Sequence, residues 1–124
     1  MEIKFTIPIA PRTKKNSQQI RKNRETGRQW ISQSDAYRQY ENDCGYFLKP
    51  YGINTPVNVK ALYYLPTKRK TDITNLHSAL HDVLVKHGVV EDDNYKIIAA
   101  TDGSRVYVDK EHPRTEVEIT EAKL

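Results

Sequence analysis

The sequence predicts an α+β fold, a small mixed β-sheet with two main helices packed on it. Apolar residues alternate with period two over 2–8 and 115–120, the pattern of half-buried strands, while 57–65 alternates at first and then becomes continuously apolar, as a central strand does. A three-and-four apolar stripe runs over 72–87, and the helical patterns fall between strand patterns, as in layered α+β domains. At 124 residues, with 37% apolar and 29% charged residues, the chain is expected to form one domain spanning 1–124. A polar chain of this size buries more surface as a pair, so a homodimer is expected.

The elements follow in order. In 2–8, Ile3, Phe5 and Ile7 alternate with Glu2, Lys4 and Thr6, and Pro8 and Pro11 end the strand. From 12 to 31 no period is visible, and Asn16, Ser17 and Thr26-Gly27 mark a long basic loop or irregular hairpin. Ser32 or Ser34 would cap a helix through DAYRQYENDCGYFLKPYG, with Tyr37, Tyr40 and Phe47 on its buried side and Pro50-Tyr51-Gly52 ending it. Residues 57–65, VNVKALYYL, read as a central strand between Pro56 and Pro66. Leu76, Ala79, Leu80 and Val83 form the stripe of the second helix, with Thr71 or Asp72 as its cap and Gly88 as its stop. Segments 95–100 and 115–120 close the chain as strands.

Charge and composition narrow the function. Seven cations (Arg12, Lys14, Lys15, Arg21, Lys22, Arg24 and Arg28) stand against Glu25 within 12–28, so this segment carries +6 while the whole chain carries +4. One concentrated basic segment suggests a phosphate-binding surface, with a solvated loop as the plain alternative. The single cysteine, Cys44, allows no intrachain disulfide, and no stretch is apolar enough for a membrane span. A soluble, cytoplasmic protein without membrane contact is the expectation.

A second basic run, Lys68-Arg69-Lys70, leads into Asp72 and the second helix, after which Gly88-Val89-Val90 leads to Glu91-Asp92-Asp93. On a helical wheel Asp72 and Asn75 border the buried stripe, while Thr74, His77 and His81 face the opposite side. If the return after Gly88 carries Asp93 back to Asp72, two carboxylates converge, the donor set Mg²⁺ takes beside a phosphate. Otherwise Asp72 is a helix cap and 91–94 a solvated turn. His77 and His81 have the i, i+4 spacing of a zinc clamp, but no glutamate follows His77, and a partly exposed pair is the preferred reading.

The stretch RKTDITNLHSALHDVLVKHGVVEDDNYKII resembles the signature of the RusA-type Holliday junction resolvases: a basic run, Asp-x-Asp-Asn at a helix start, and a Gly-x-x-x-Asp-Asp turn before a strand. The resemblance extends to the N-terminal strand, the basic loop and DAYRQYE. Thr74 stands where the pattern has its second aspartate, and Ser78 where it has a lysine. The resemblance implies a homodimeric, Mg²⁺-dependent endonuclease, with Mn²⁺ as a substitute ion, that cuts four-way DNA junctions by paired nicks. It implies Asp72, Asp92 and Asp93 as catalytic, metal-holding acids, and Asn75 as the amide beside them. Arg12, Lys14, Lys15, Arg21, Lys22, Arg24, Arg28, Lys68, Arg69 and Lys70 would contact branched DNA. The alternative is a branched-DNA-binding protein with weak or no catalysis.

Overall fold

A computed structural model describes residues 1–14 and 18–123. Its centre is a mixed sheet built on β4 (Val57–Leu65) and β7 (Arg114–Glu121), which pair antiparallel with Ala61 opposite Val117. β1 (Glu2–Ile7) lies antiparallel on the far side of β7, with Phe5 opposite Val117. The other edge of β4 holds two short parallel strands, β5 (Ile98–Ala100) at its start and β6 (Arg105–Val108) at its end. A separate antiparallel ribbon, β2 (Gln18–Lys22) and β3 (Gln29–Gln33), interrupts the chain between β1 and α1.

Two helices cover one face of the sheet. α1 (Asp35–Cys44) starts at Ser34, whose hydroxyl accepts the Tyr37 N–H at 3.1 Å, as an N-cap should. It buries Tyr37, Tyr40 and Cys44, and a short 3₁₀ turn over 45–47 follows. α2 (Ile73–Lys86) buries Leu76, Ala79, Leu80, Val83 and Leu84 against Val57, Val59, Ala61 and Tyr63, the inward side of β4. Gly88, at φ +72°, takes the left-handed turn that reverses the chain after α2. No helix among the described residues is long and apolar enough to cross a membrane.

Three expectations are corrected. Phe47 is exposed, because Gly45 ends α1 one turn early and the 3₁₀ turn rotates the phenyl ring off the core. β6 is a strand that alternation did not reveal, since all four of its residues are exposed. His77 and His81 do not face away from the domain. Both are half-buried, and Tyr63 on β4 supplies a hydroxyl 2.7 Å from His77 Nδ1, so the seated arc of α2 is wider than its apolar stripe.

Candidate nucleic-acid interface and metal residues

β1 and β4 both lie antiparallel to β7, so they run in the same direction and their following loops leave the same end of the sheet. Each loop opens with proline, threonine and cations, Pro11-Arg12-Thr13 and Pro66-Thr67-Lys68-Arg69. They enclose a cleft of about 260 Å³ lined by Pro11, Arg12, Thr13, Thr67, Arg69 and Thr71. Threonine hydroxyls brace the second loop. The Arg69 N–H donates to Thr67 Oγ1, and Thr71 Oγ1 donates to the Arg69 carbonyl at 3.3 Å. Two guanidinium groups and several hydroxyls on one concave surface match the donor geometry of a phosphate. Asp72 follows Thr71 directly.

The ribbon β2–β3 carries the rest of the basic segment. Its turn is closed by a bond from the Asn23 N–H to the Arg28 carbonyl and by Asn23 Oδ1, which accepts the Glu25 and Thr26 N–H groups. Gly27, at φ +72°, provides the left-handed step. Arg21 reaches Asp35 at the start of α1 at 2.8 Å, tying the ribbon to the domain. Lys22, Arg24 and Arg28 are exposed. Trp30, opposite Arg21 and 47% exposed, and Ile20, 73% exposed, place apolar side chains among these cations. Lys14 is held by an ion pair with Asp82 of α2, and Lys15 lies outside the described residues. Lys68 and Lys70 are exposed beside the cleft.

The acids behave differently from one another. Asp72 occupies the N-cap position of α2, where its carbonyl accepts the Asn75 and Leu76 N–H groups, but its carboxylate makes no capping bond and is exposed. The structural cap is therefore the backbone alone. Asn75 is half-buried one turn into the helix. Asp92 organises its own turn: its carboxylate accepts the Asp93 N–H at 2.7 Å and the Asn94 amide at 3.1 Å, and these bonds hold its pKa below the usual range. Asp93 is exposed beside it.

α2 separates Asp72 from Asp93. His77, near the helix start, meets Tyr63 toward the end of β4. At the other end, Val90 bridges Ile53, the Glu91 N–H donates to the Ile53 carbonyl at 2.8 Å, and the Val57 N–H donates to the Ile97 carbonyl at 2.8 Å. These anchors hold 91–97 at the start of β4. Asp72 thus stands at one end of α2 and the 91–93 turn beyond the other, and among the described residues no three His, Cys, Asp or Glu side chains gather as a metal site.

His77 and His81 stack with centroids 5.7 Å apart and rings 7° from parallel. Burial pushes the His81 pKa down to about 4, with repulsion from His77 adding to it and Asp82 opposing it. Tyr64 stacks on Tyr107 at 5.2 Å on the open face, with the Arg114 guanidinium 3.7 Å from the Tyr64 ring. Sequence reading singled out neither the paired loops nor Trp30. The repeated strand-proline-cation pattern at 8–12 and 65–69 is the signal that would have found the first.

A small α+β domain with cationic loops at one sheet end, a basic ribbon and exposed acids at both ends of one helix has the makeup of a nucleic-acid enzyme. The endodeoxyribonuclease RusA family model matches residues 8–120, and the chain belongs to that family. No curated protein matches the chain.

Proposed function

We propose that this protein is a structure-selective endonuclease that resolves four-way DNA junctions by paired nicks, acting as a homodimer with Mg²⁺, for which Mn²⁺ substitutes. The observation that carries the reading is the cleft between the two proline-led loops, lined by Arg12, Arg69 and Thr71, the residue before Asp72, in a RusA-family chain. The arginines and loop hydroxyls hold a backbone phosphate beside the helix start. The basic ribbon, with Lys22, Arg24 and Arg28, extends that contact along a neighbouring arm and sets orientation without reading sequence. Asn75 positions polar groups around the scissile phosphate.

Asp72, Asp92 and Asp93 are the hard oxygen donors that Mg²⁺ takes. Within one chain they do not fit a shared ion, because α2 stands between Asp72 and the 91–93 turn.

The reading is tested by cleavage of an end-labelled four-way junction against a linear duplex of the same sequence, with Mg²⁺ or with chelator, beside Asp93→Asn. Paired nicks confined to the junction, lost with chelator and in the variant, are expected. Tight junction binding without product would replace the reading with that of a branched-DNA-binding protein.

A further inference from the structure

The two faces of β4 are used differently. Tyr63 is buried under α2, so Tyr64, one residue on, stands on the face that no helix covers. β7 and β6 flank β4 on opposite edges, and Tyr64 is paired with Arg114 on one and with Tyr107 on the other. The Arg114 guanidinium lies 3.7 Å from the centre of the Tyr64 ring, and the Tyr107 ring lies 5.2 Å from it on a plane tilted by 21°. Arg114, Tyr64 and Tyr107 therefore form one stack across three strands, with Tyr107 as its outermost layer. Among the described residues no strand pairs beyond β6, and Tyr107 is 43% exposed. The stack ends in an open ring face at the edge of the sheet.

That stack is fixed before anything reaches it. Arg114 donates from Nε to Glu116 at 2.9 Å, and from one terminal nitrogen to Asp109 at 3.0 Å and to the His112 carbonyl at 2.9 Å. Asp109 also accepts the Glu111 and His112 N–H groups, which shapes the turn from β6 to β7. Two carboxylates neutralise Arg114, so it braces the rings instead of binding a phosphate. A ring already held in place loses little freedom when a ligand stacks on it. The Asp109 N–H donates to the Leu65 carbonyl at 2.8 Å, and Leu65 lines the cleft that Arg12 and Arg69 also line. Tyr107 thus belongs to the end of the sheet that carries the phosphate cleft. Arg105, two residues earlier on the same side of β6, is exposed and adds a cation.

A flat open ring at the sheet end that carries the cationic cleft suits a nucleobase, since every base has a π-face and hangs from a phosphodiester backbone. A paired duplex keeps its bases stacked inside, so the nucleotide that meets this ring is an unpaired one. We propose that Tyr107 is the stacking platform for an unpaired base at the branch of the DNA, with Tyr64 and Arg114 as its positioning residues. This rests on the branched-DNA reading above and adds the subsite that separates branched from fully paired DNA.

Binding without metal tests it. Anisotropy is measured on a linear duplex and on the same duplex carrying a bulge of two thymines. Tyr107→Ala is expected to bind the bulged DNA about fivefold or more weakly and the paired duplex as the wild type does, and Tyr107→Phe, which keeps the ring, is expected to match the wild type on both. Wild-type affinity of Tyr107→Ala for the bulge overturns the inference. Equal losses on the two DNAs overturn it as well, because they make the ring a backbone contact.

A second readout uses the unaltered protein. 5-Iodouracil placed in the bulge is irradiated in the complex, and the attached peptide is mapped. Attachment at Tyr107 is expected, and attachment confined to other residues overturns the inference. Neither readout depends on cleavage. Both results in a protein that nicks no four-way junction uphold the platform and reject the nuclease reading, whereas full nicking with neither result rejects the platform alone.

Discussion

Tyr63 and His77 share a 2.7 Å hydrogen bond between the central strand and α2, inside a layer that is otherwise apolar. The bond orients His77, on which His81 stacks, and His81 Nε2 is buried with no partner among the described residues. Both imidazoles are therefore held neutral, the His81 pKa falling from 6.5 to about 4. The unfolded chain takes up protons below about pH 6.5 and the folded one does not. Stability is full above that pH and is lost as pH falls toward 4, by roughly 2–3 kcal/mol from His81. Urea midpoints at about pH 7.5 and about pH 4.5 check this. The wild type should lose stability on acidification, and His81→Gln should lose much less. A flat wild-type profile would count against a neutral buried pair.

Gly45 gives His87 its space. A Cβ there would stand 2.5 Å from the His87 ring, whose Nε2–H donates to the Glu41 carbonyl at 2.8 Å. Gly45→Ala should cost about 1–3 kcal/mol by overpacking. In thermal unfolding, His87→Ala should recover part of that loss in the double variant, since the two residues touch. Additive losses would mean that the ring is not what the new methyl meets.

The cleft arginines should act on every DNA sequence alike. Arg12→Ala and Arg69→Ala should each weaken junction binding and reduce the slope of log K against log salt by about one. Fluorescence anisotropy over a salt series measures it. A variant with the wild-type slope identifies a residue that touches no phosphate.

Trp30 is the only tryptophan in the chain, so its emission reports on the ribbon directly. Stacking on a base at the branch point should quench it on adding four-way junction, and Trp30→Ala should weaken binding by about 1–3 kcal/mol. Emission unchanged at saturating DNA would put the ribbon face bearing Trp30 away from the nucleic acid.

Leu84 is fully buried between α2 and the sheet. Leu84→Ala should cost about 2–5 kcal/mol in urea unfolding, as deletions in a packed core do. A loss below about 1 kcal/mol would mean that the helix is seated more loosely than its burial indicates.

Much of the fold was legible because burial writes itself into period. β1, β4 and β7 alternate as half-buried strands must, and Leu76, Ala79, Leu80 and Val83 fall on one side of α2. β6 was harder to read because it lacks that contrast, Val106 and Val108 both being exposed. The histidine face was misread because a wheel drawn from apolar residues has no place for the Tyr63 hydroxyl that receives it. The approach of the acids was left open by the sequence for a different reason. The wheel gives the angle around a helix, and Asp72 was placed by angle, but the rise along the axis decides whether Asp93 can reach it. The parallel pairing of β5 with β4 carries the same information, since a crossover between parallel strands must return to the starting end of the sheet.

The two strands of the basic ribbon pair with each other and not with the central sheet. The reach and charge of that arm can therefore change by substitution or lengthening of its turn without moving a strand of the core, which leaves the helix start at Asp72 as the fixed point of the molecule and the ribbon as its adjustable grip.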